Sequence, residues 1–169
     1  MNQYKILSLE KLSRRCVKLK EEGKKIVLAN GCFDLIHVGH VRYLEGAAAL
    51  GNVLIVAINS DKSVRSLKGP GRPFLSQSGR AAMVAGFECV DFVIVFSQPT
   101  VENVLRSIQP DVHAKGTDYT EETVPERDLV KAYGGLTMIV GDPKDHSTRD
   151  LIRKIQDNEA LKGAGRKRQ

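Results

Sequence analysis

The sequence contains no tryptophan, and aromatic residues make up only 5% of its 169 positions. Nucleic-acid-binding surfaces commonly stack bases on aromatic side chains, so this scarcity argues against such a role. The three cysteines, Cys16, Cys32 and Cys89, lie far apart and form no CxxC pair. Their spacing argues against a disulfide scaffold or a zinc ribbon and favours a reducing, cytoplasmic environment. No apolar run approaches the roughly eighteen residues that span a bilayer, so we expect no membrane partner.

The net charge of +6 is distributed unevenly. Half of it falls in residues 158–169, which contain four basic residues and a single acidic residue, Glu159. We therefore interpret 158–169 as a basic flexible tail and 1–157 as one domain, with an N-terminal helix over 8–22 packed on it. A protein that binds nucleic acid through this tail is the alternative, although the rest of the chain predicts no nucleic-acid partner.

Five apolar runs rich in β-branched residues alternate with helical patterns. The runs lack polar alternation, which is typical of strands buried on both faces of a parallel sheet. The pattern predicts an α/β protein, a Rossmann-like α/β/α sandwich with a five-stranded parallel sheet. The predicted strands are 25–30, 53–58, 92–96, 111–115 and 136–140. The predicted helices after 8–22 are 38–50, 78–87, 101–108, 120–133 and 147–156.

In such folds, ligands bind beyond the carboxyl ends of the strands. Polar segments containing glycine or histidine follow several of the predicted strands, so we expect the active site at this edge. The first of them reads GCFDLIHVGH over 31–40. His37 and His40 share a face at the start of a helix, and Gly39 leaves room for a ligand there. Two imidazoles beside a helix N-terminus suit phosphoryl chemistry, whereas a metal pair lacks an evident third ligand.

The GCFD and HVGH segments together resemble the signature of the HxGH nucleotidylyltransferase superfamily, and no P-loop or GxGxxG motif competes with them. Members of that superfamily join a nucleoside monophosphate to a phosphorylated small molecule and release pyrophosphate. Further segments resemble the branch that adenylylates D-glycero-beta-D-manno-heptose 1-phosphate. These segments are INSD at 58–61, LKG at 67–69, RP at 72–73, KGTDY at 115–119 and ST at 147–148.

The resemblance implies AMP transfer from ATP to a sugar 1-phosphate, with Mg²⁺ entering bound to the triphosphate and no metal ligand predicted in the chain. We assign catalysis to His37, His40 and Lys68, the last as a mobile cation beside a flexible glycine-rich loop. The nucleotide-binding residues are then Gly31, Cys32, Phe33, Gly39, His40, Lys115, Gly116, Asp118, Ser147 and Thr148. The acceptor-binding residues are Asp34, Asn59, Asp61, Arg72 and Arg80.

Ser78, Thr117 and Arg149 depart from the pattern of that branch and leave the acceptor open. One alternative is a cytidylyltransferase that uses CTP and glycerol 3-phosphate or a similar acceptor. Another is a nucleotide-binding module without catalysis, although the retained histidines argue against it. The resemblance also implies a homo-oligomer, specifically a dimer. We interpret His113 as a core histidine and the charged cluster at 121–128 as a solvated helix face.

Overall fold

Five strands form one parallel sheet in the computed structural model, which describes residues 2–142 and, beyond them, residues 152, 153, 155, 157 and 158. Each strand lies within one residue of its predicted bounds, because long β-branched apolar runs carry a strong strand signal. The strands are β1 (Ile26–Gly31), β2 (Val53–Asn59), β3 (Phe92–Phe96), β4 (Val112–Gly116) and β5 (Leu136–Val140).

The helices of the described part cover both faces of this sheet. They are α1 (Leu9–Glu21), α2 (Val38–Ala48), α3 (Asp61–Lys68), α4 (Gln77–Ala85), α5 (Glu102–Ile108) and α6 (Arg127–Ala132). Two short 3-10 turns, Gln3–Lys5 and Glu121–Thr123, complete the order. None of the helices within the described residues is long and apolar enough to cross a membrane.

Alternate residues of each strand point into two separate cores, as a buried parallel strand requires. Ile26 and Leu28 of β1 pack with α1, α5 and α6, whereas Val27 and Ala29 pack with α2 and α4. These two layers confirm the predicted α/β/α sandwich. The N-terminal helix α1 belongs to the first layer, and Ser8 caps it by accepting a hydrogen bond from the Lys11 N–H.

The strand order is β3-β2-β1-β4-β5, so the chain reverses direction across the sheet between β1 and β4. β1 pairs with β2 on one side and with β4 on the other. In open α/β sheets, ligands bind at this switch point, beyond the carboxyl ends of the strands. Gly31 and Gly116, which end β1 and β4, therefore mark the expected binding edge.

The helix predicted over 120–133 is wrong as a single element. The chain forms the 3-10 turn Glu121–Thr123, is interrupted at Pro125, and resumes as α6. Proline lacks the N–H that would continue a helix, and its ring crowds the preceding turn. Helix α3 was not predicted at all, although Ser60 caps it in the expected manner. Most of the helix predicted over 147–156, and all of the basic tail except residue 158, lies outside the described residues.

Candidate active site

The loop between β1 and α2 brings the histidine pair to the carboxyl edge of the sheet. Phe33 turns the chain with a φ of 48°, and α2 begins at Val38 after the N-cap residue His37. The ring centroids of His37 and His40 lie 4.0 Å apart. The first N–H groups of α2 and the positive end of its dipole lie at the same place. This arrangement favours a bound anion beside both imidazoles.

Hydrogen bonding determines which nitrogen of His40 carries the proton. Its Nδ1 accepts the backbone N–H of His37 at 3.4 Å, so the neutral ring holds its proton on Nε2. Burial, and secondarily the neighbouring His37, lowers the pKa of His40 to about 4. His40 is therefore uncharged at pH 7, and its Nε2–H acts as a neutral hydrogen-bond donor.

The buried ring of Phe33 supports His40 from inside the protein. Its centroid lies 5.2 Å from that of His40 and 6.4 Å from that of Tyr43, and the Phe33 side chain is 2% exposed. A Cβ atom at residue 31 would stand 3.1 Å from the Phe33 ring. Gly31 therefore leaves the space in which Phe33 can hold His40.

A cleft of about 460 Å³ opens at the carboxyl ends of β1, β2 and β4. Its size lies within the range of small-molecule sites, roughly 300–1,000 Å³. Eight of the site residues predicted from the sequence line this cleft. They are Gly31, Cys32, Phe33, His40, Asn59, Lys68, Lys115 and Gly116.

A buried polar network lies along the wall of this cleft, where β1 and β4 run side by side. The Asn30 side-chain oxygen lies 3.0 Å from His113 Nε2 and 3.4 Å from Lys115 Nζ. Lys115 Nζ also lies 3.6 Å from Glu126 Oε2 and 4.6 Å from the centre of the Tyr119 ring. Asn30, Lys115, Tyr119 and Glu126 all line the cleft, so the network faces any ligand bound there.

Burial sets the charge states in this network. It lowers the pKa of His113 to about 3, with Lys115 acting in the same direction, so His113 is neutral. This side chain is fully buried and hydrogen-bonded to Asn30, as expected for a core histidine. Burial also lowers the pKa of Lys115, and the Glu126 carboxylate opposes that shift. Lys115 and Glu126 lie side by side as a buried ion pair.

Glu126 is a site residue that sequence reasoning missed. We expected the charged cluster at 121–128 to be a solvated helix face, but Glu126 is only 6% exposed. Pro125 ends the preceding segment, and both residues then line the cleft. The proline inside an apparently helical pattern was the available signal that this face does not run continuously through solvent.

Lys68 is the last residue of α3, directly before the glycine-rich segment, and its side chain is exposed. Gly69 and Gly71 follow it with φ angles of +90° and +79°, a backbone conformation that residues other than glycine rarely adopt. The Lys68 charge is close enough to Cys32 to lower that thiol's pKa, against the stronger raising effect of burial. Lys68 therefore lines the cleft as an exposed cation that forms no ion pair with the described part of the chain.

Asp34 and Arg72 form an anchor for the loop that follows Gly71. Arg72 Nε donates to Asp34 Oδ2 at 2.6 Å, and Asp34 Oδ1 accepts the N–H groups of Phe74 and Leu75 at 2.7 and 3.1 Å. Asp34 is 2% exposed. These contacts fix the loop to the turn after β1, while the acceptor-binding roles assigned to Asp34 and Arg72 stay predictions.

Arg80 lies inside the protein, whereas we expected it on the cleft wall. It is fully buried, and its guanidinium donates to Cys32 O at 2.5 Å, Leu75 O at 3.1 Å and Asp61 Oδ1 at 2.8 Å. One side chain thus joins the β1 loop, the loop before α4 and the start of α3. The structure thus gives Arg80 and Asp61 a structural bond, and the acceptor-binding roles assigned to them stay predictions.

The remaining predicted residues are distributed around the cleft. Asn59 is 5% exposed, and its Nδ2 donates to Ser63 Oγ at 3.0 Å. Gly39 lies in the first turn of α2, and Asp118 is exposed in the turn after β4. Ser147 and Thr148, with the departure at Arg149, lie outside the described residues.

Among the residues the structure describes, no group of three or more His, Cys, Asp or Glu side chains could hold a metal ion. The groups that line the cleft near the β1 end are instead the neutral donor His40 and the cation Lys68. Both complement phosphate oxygens. This donor set fits the phosphate oxygens of a triphosphate that carries a metal ion.

Comparison with known proteins shows the family to which the chain is related. The model of the Cytidylyltransferase-like family matches residues 28–161. The "Bifunctional protein HldE" of Pseudomonas fluorescens (strain Pf0-1) is 48% identical over 154 residues, which cover 91% of this chain and 32% of that protein. The protein of the same name from Syntrophotalea carbinolica is 45% identical over 138 residues, covering 82% and 28%. The chain thus spans about a third of the length of these curated relatives.

A solved structure shares the fold. The lipopolysaccharide core biosynthesis protein from Thermoplasma volcanium GSS1 superimposes with a TM-score of 0.61 at 23% identity, over 72% of this chain and 100% of that one. At this identity the likeness concerns the fold alone. The match to the family model, together with the histidine pair at the start of α2, identifies the chain as a member of the cytidylyltransferase-like family.

Proposed function

We propose that this chain is a nucleotidylyltransferase that transfers AMP from ATP to a sugar 1-phosphate. The product is an ADP-sugar, and pyrophosphate is released. The preferred acceptor is D-glycero-beta-D-manno-heptose 1-phosphate, which makes the product a precursor of lipopolysaccharide. The observation that carries the proposal is the position of His40. His40 lies in the first turn of α2, carries its proton on Nε2 and lines the cleft that Lys68 also lines.

The reaction is one displacement at phosphorus. An oxygen of the acceptor phosphate attacks the α-phosphorus of ATP and forms a new P–O bond. The bond from the α-phosphorus to the oxygen that bridges to the β-phosphorus breaks, and pyrophosphate leaves with that electron pair. No covalent enzyme intermediate is required, so the protein contributes by positioning the reactants and stabilising charge.

Each group near the β1 end of the cleft has a place in this step. The N–H groups that begin α2 and the Nε2–H of His40 donate to the phosphate oxygens, where negative charge grows in the transition state. Lys68 neutralises the leaving pyrophosphate from the cleft opening. Because His40 is already neutral, it donates without first losing or gaining a proton. Mg²⁺ supplies further charge neutralisation when it enters bound to ATP.

The acceptor is inferred from likeness in two ways. The segments at 58–61, 67–69 and 115–119 resemble the heptose 1-phosphate adenylyltransferase branch. The curated relatives named "Bifunctional protein HldE" align with most of this chain at 45–48% identity. The family model that matches is named for cytidylyl transfer, so CTP is the nucleotide against which ATP has to be tested.

The test measures pyrophosphate release with Mg²⁺ while crossing two nucleotides with two acceptors. ATP and CTP are each combined with heptose 1-phosphate and with glycerol 3-phosphate. We expect turnover with ATP and heptose 1-phosphate and at most a small fraction of that rate in the other three mixtures. Turnover with CTP but not with ATP would support nucleotidylyl transfer and show that the proposed nucleotide, ATP, is wrong. No pyrophosphate from any mixture would contradict the proposal.

A further inference from the structure

The Glu126 carboxylate is buried yet incompletely satisfied. Its side chain is 7% exposed, and Oε2 makes no hydrogen bond within the part of the chain that the structure describes. The cation paired with it, Lys115 Nζ, lies 3.6 Å away, at the outer edge of hydrogen-bond distance. Buried carboxylate oxygens normally accept hydrogen bonds, because leaving them without one costs free energy. Oε2 itself has almost no accessible surface, so a ligand in the cleft that Glu126 lines would contact the exposed part of this side chain or reach Oε2 after the side chain turns.

The surroundings of Glu126 indicate what kind of donor fits. Lys115 offers ammonium N–H groups beside the carboxylate, and Asn30 presents a side-chain amide whose oxygen is held by His113 and Lys115. The Tyr119 ring forms an apolar wall below the Lys115 ammonium. Charged acceptors next to charged donors form strong hydrogen bonds with groups that both donate and accept. Hydroxyl groups have this double capacity.

The polar groups are spread too widely for one edge of a nucleobase. Asn59 ends β2, Asn30 lies near the end of β1, and Lys115 lies near the end of β4. Since β1 separates β2 from β4, the two outer groups lie on strands about 10 Å apart at the usual strand spacing. A sugar distributes hydroxyls around its whole outline and matches such a spread.

We propose that Glu126 and Lys115 bind hydroxyl groups of the acceptor sugar, so that this pair makes the cleft selective for polyhydroxylated acceptors. The inference rests on the proposed function, in which a sugar phosphate is the acceptor. It moves Lys115 from the nucleotide, where the resemblance placed it, to the acceptor. A short acceptor such as glycerol 3-phosphate leaves Glu126 without its hydroxyl partner and gains little from the pair.

The test compares Glu126→Gln with Glu122→Gln, a matched control at an exposed glutamate of the same segment. The amide keeps the size of the side chain and removes its charge. We expect Glu126→Gln to raise the KM for heptose 1-phosphate at least about tenfold, because charge-assisted hydrogen bonds are roughly twice as strong as neutral ones. We expect the KM for ATP to stay within about twofold of the wild-type value. Preference for heptose 1-phosphate over glycerol 3-phosphate falls by the same factor. Glu122→Gln changes neither constant.

Two results would overturn the inference. One is a Glu126→Gln enzyme whose KM rises for ATP and not for the acceptor. That result would place Glu126 at the base of the nucleotide. The other is a Glu126→Gln enzyme with unchanged constants. If Glu126→Gln does not fold, Glu126→Asp retains the charge on a shorter side chain, and we expect the same change confined to the acceptor.

Calorimetric titration of heptose 1-phosphate into the protein separates this inference from the proposed function. Wild-type protein that binds the sugar phosphate, with at least about tenfold weaker binding by Glu126→Gln, supports the inference even if no pyrophosphate is released. In that case the proposed reaction alone fails. Turnover by the wild type with equal binding by both proteins refutes the inference and leaves the reaction standing. Absence of both binding and turnover refutes both.

Discussion

Nδ1 of His40 accepts the backbone N–H of His37, and the two rings lie with their centroids 4.0 Å apart. This bond directs the proton of His40 to Nε2, which can then donate a hydrogen bond. Burial, and secondarily the neighbouring imidazole of His37, lowers the pKa of His40 and keeps it neutral at pH 7. The site therefore offers a fixed hydrogen-bond donor at the start of α2 and leaves the positive charge to lysine.

Lys68 can be tested against a lysine of the same helix. We expect Lys68→Ala to lower kcat/KM for ATP at least about tenfold, because a cation near the leaving phosphates stabilises charge in the transition state. Lys62→Ala, an exposed position on α3, serves as the control and keeps wild-type kinetics. Both proteins should show unchanged melting temperatures, since both side chains are exposed. Equal kinetic constants for the two variants would show that Lys68 has no role in the reaction.

Arg80 is predicted to act on stability. Arg80→Met leaves Asp61 and the carbonyl groups of Cys32 and Leu75 without their donor, so we expect a loss of about 3 kcal/mol in the free energy of unfolding. Arg65→Met, at an exposed position of α3, should change it by less than about 0.5 kcal/mol. Urea unfolding monitored by circular dichroism measures both. A loss below about 1 kcal/mol in Arg80→Met would contradict the structural role.

His113 should make the protein less stable in acid. Its folded-state pKa of about 3 lies below the ordinary value of 6.5. Between these pH values His113 is protonated in the unfolded chain and neutral in the folded protein. The stabilisation is complete above pH 6.5 and is lost as the pH falls from there towards 3. His113→Gln removes this titration, whatever constant stability it costs. We expect its free energy of unfolding to fall less steeply than that of the wild type between pH 7 and pH 4, and parallel curves from urea unfolding would disprove the assignment.

The sheet was predictable because its signal is local. Continuous apolar β-branched runs such as 53–58 identify buried strands without any knowledge of their partners, and the alternation with helices identifies the parallel order. Helix α3 was missed because it is short and mostly polar, and its main apolar anchor, Val64, gives no periodic pattern. The break at Pro125 was readable in principle, but the surrounding charged residues suggested an uninterrupted solvated helix.

The site was predictable in its location and less so in its individual contacts. The motif at 31–40 and the carboxyl-edge rule brought together the residues that line the cleft. Arg80 and Arg65 look alike in the sequence, yet one is fully buried and the other exposed. The difference comes from partners such as Cys32, which lies 48 residues away from Arg80. Glu126 and Glu122 differ for the same reason, since tertiary contacts decide which charge turns inward.

The central claim is nucleotidylyl transfer assisted by His40, and ³¹P NMR of the reaction mixture tests it most directly. With ATP, Mg²⁺ and heptose 1-phosphate, the account predicts that the β- and γ-phosphorus signals of ATP become pyrophosphate. The α-phosphorus signal and that of the acceptor then become those of a sugar-linked diphosphate. His40→Ala should form the same products at least about a hundredfold more slowly, because the transition state loses a preorganised donor. Release of ADP or inorganic phosphate from ATP, or an equal rate in His40→Ala, would contradict it.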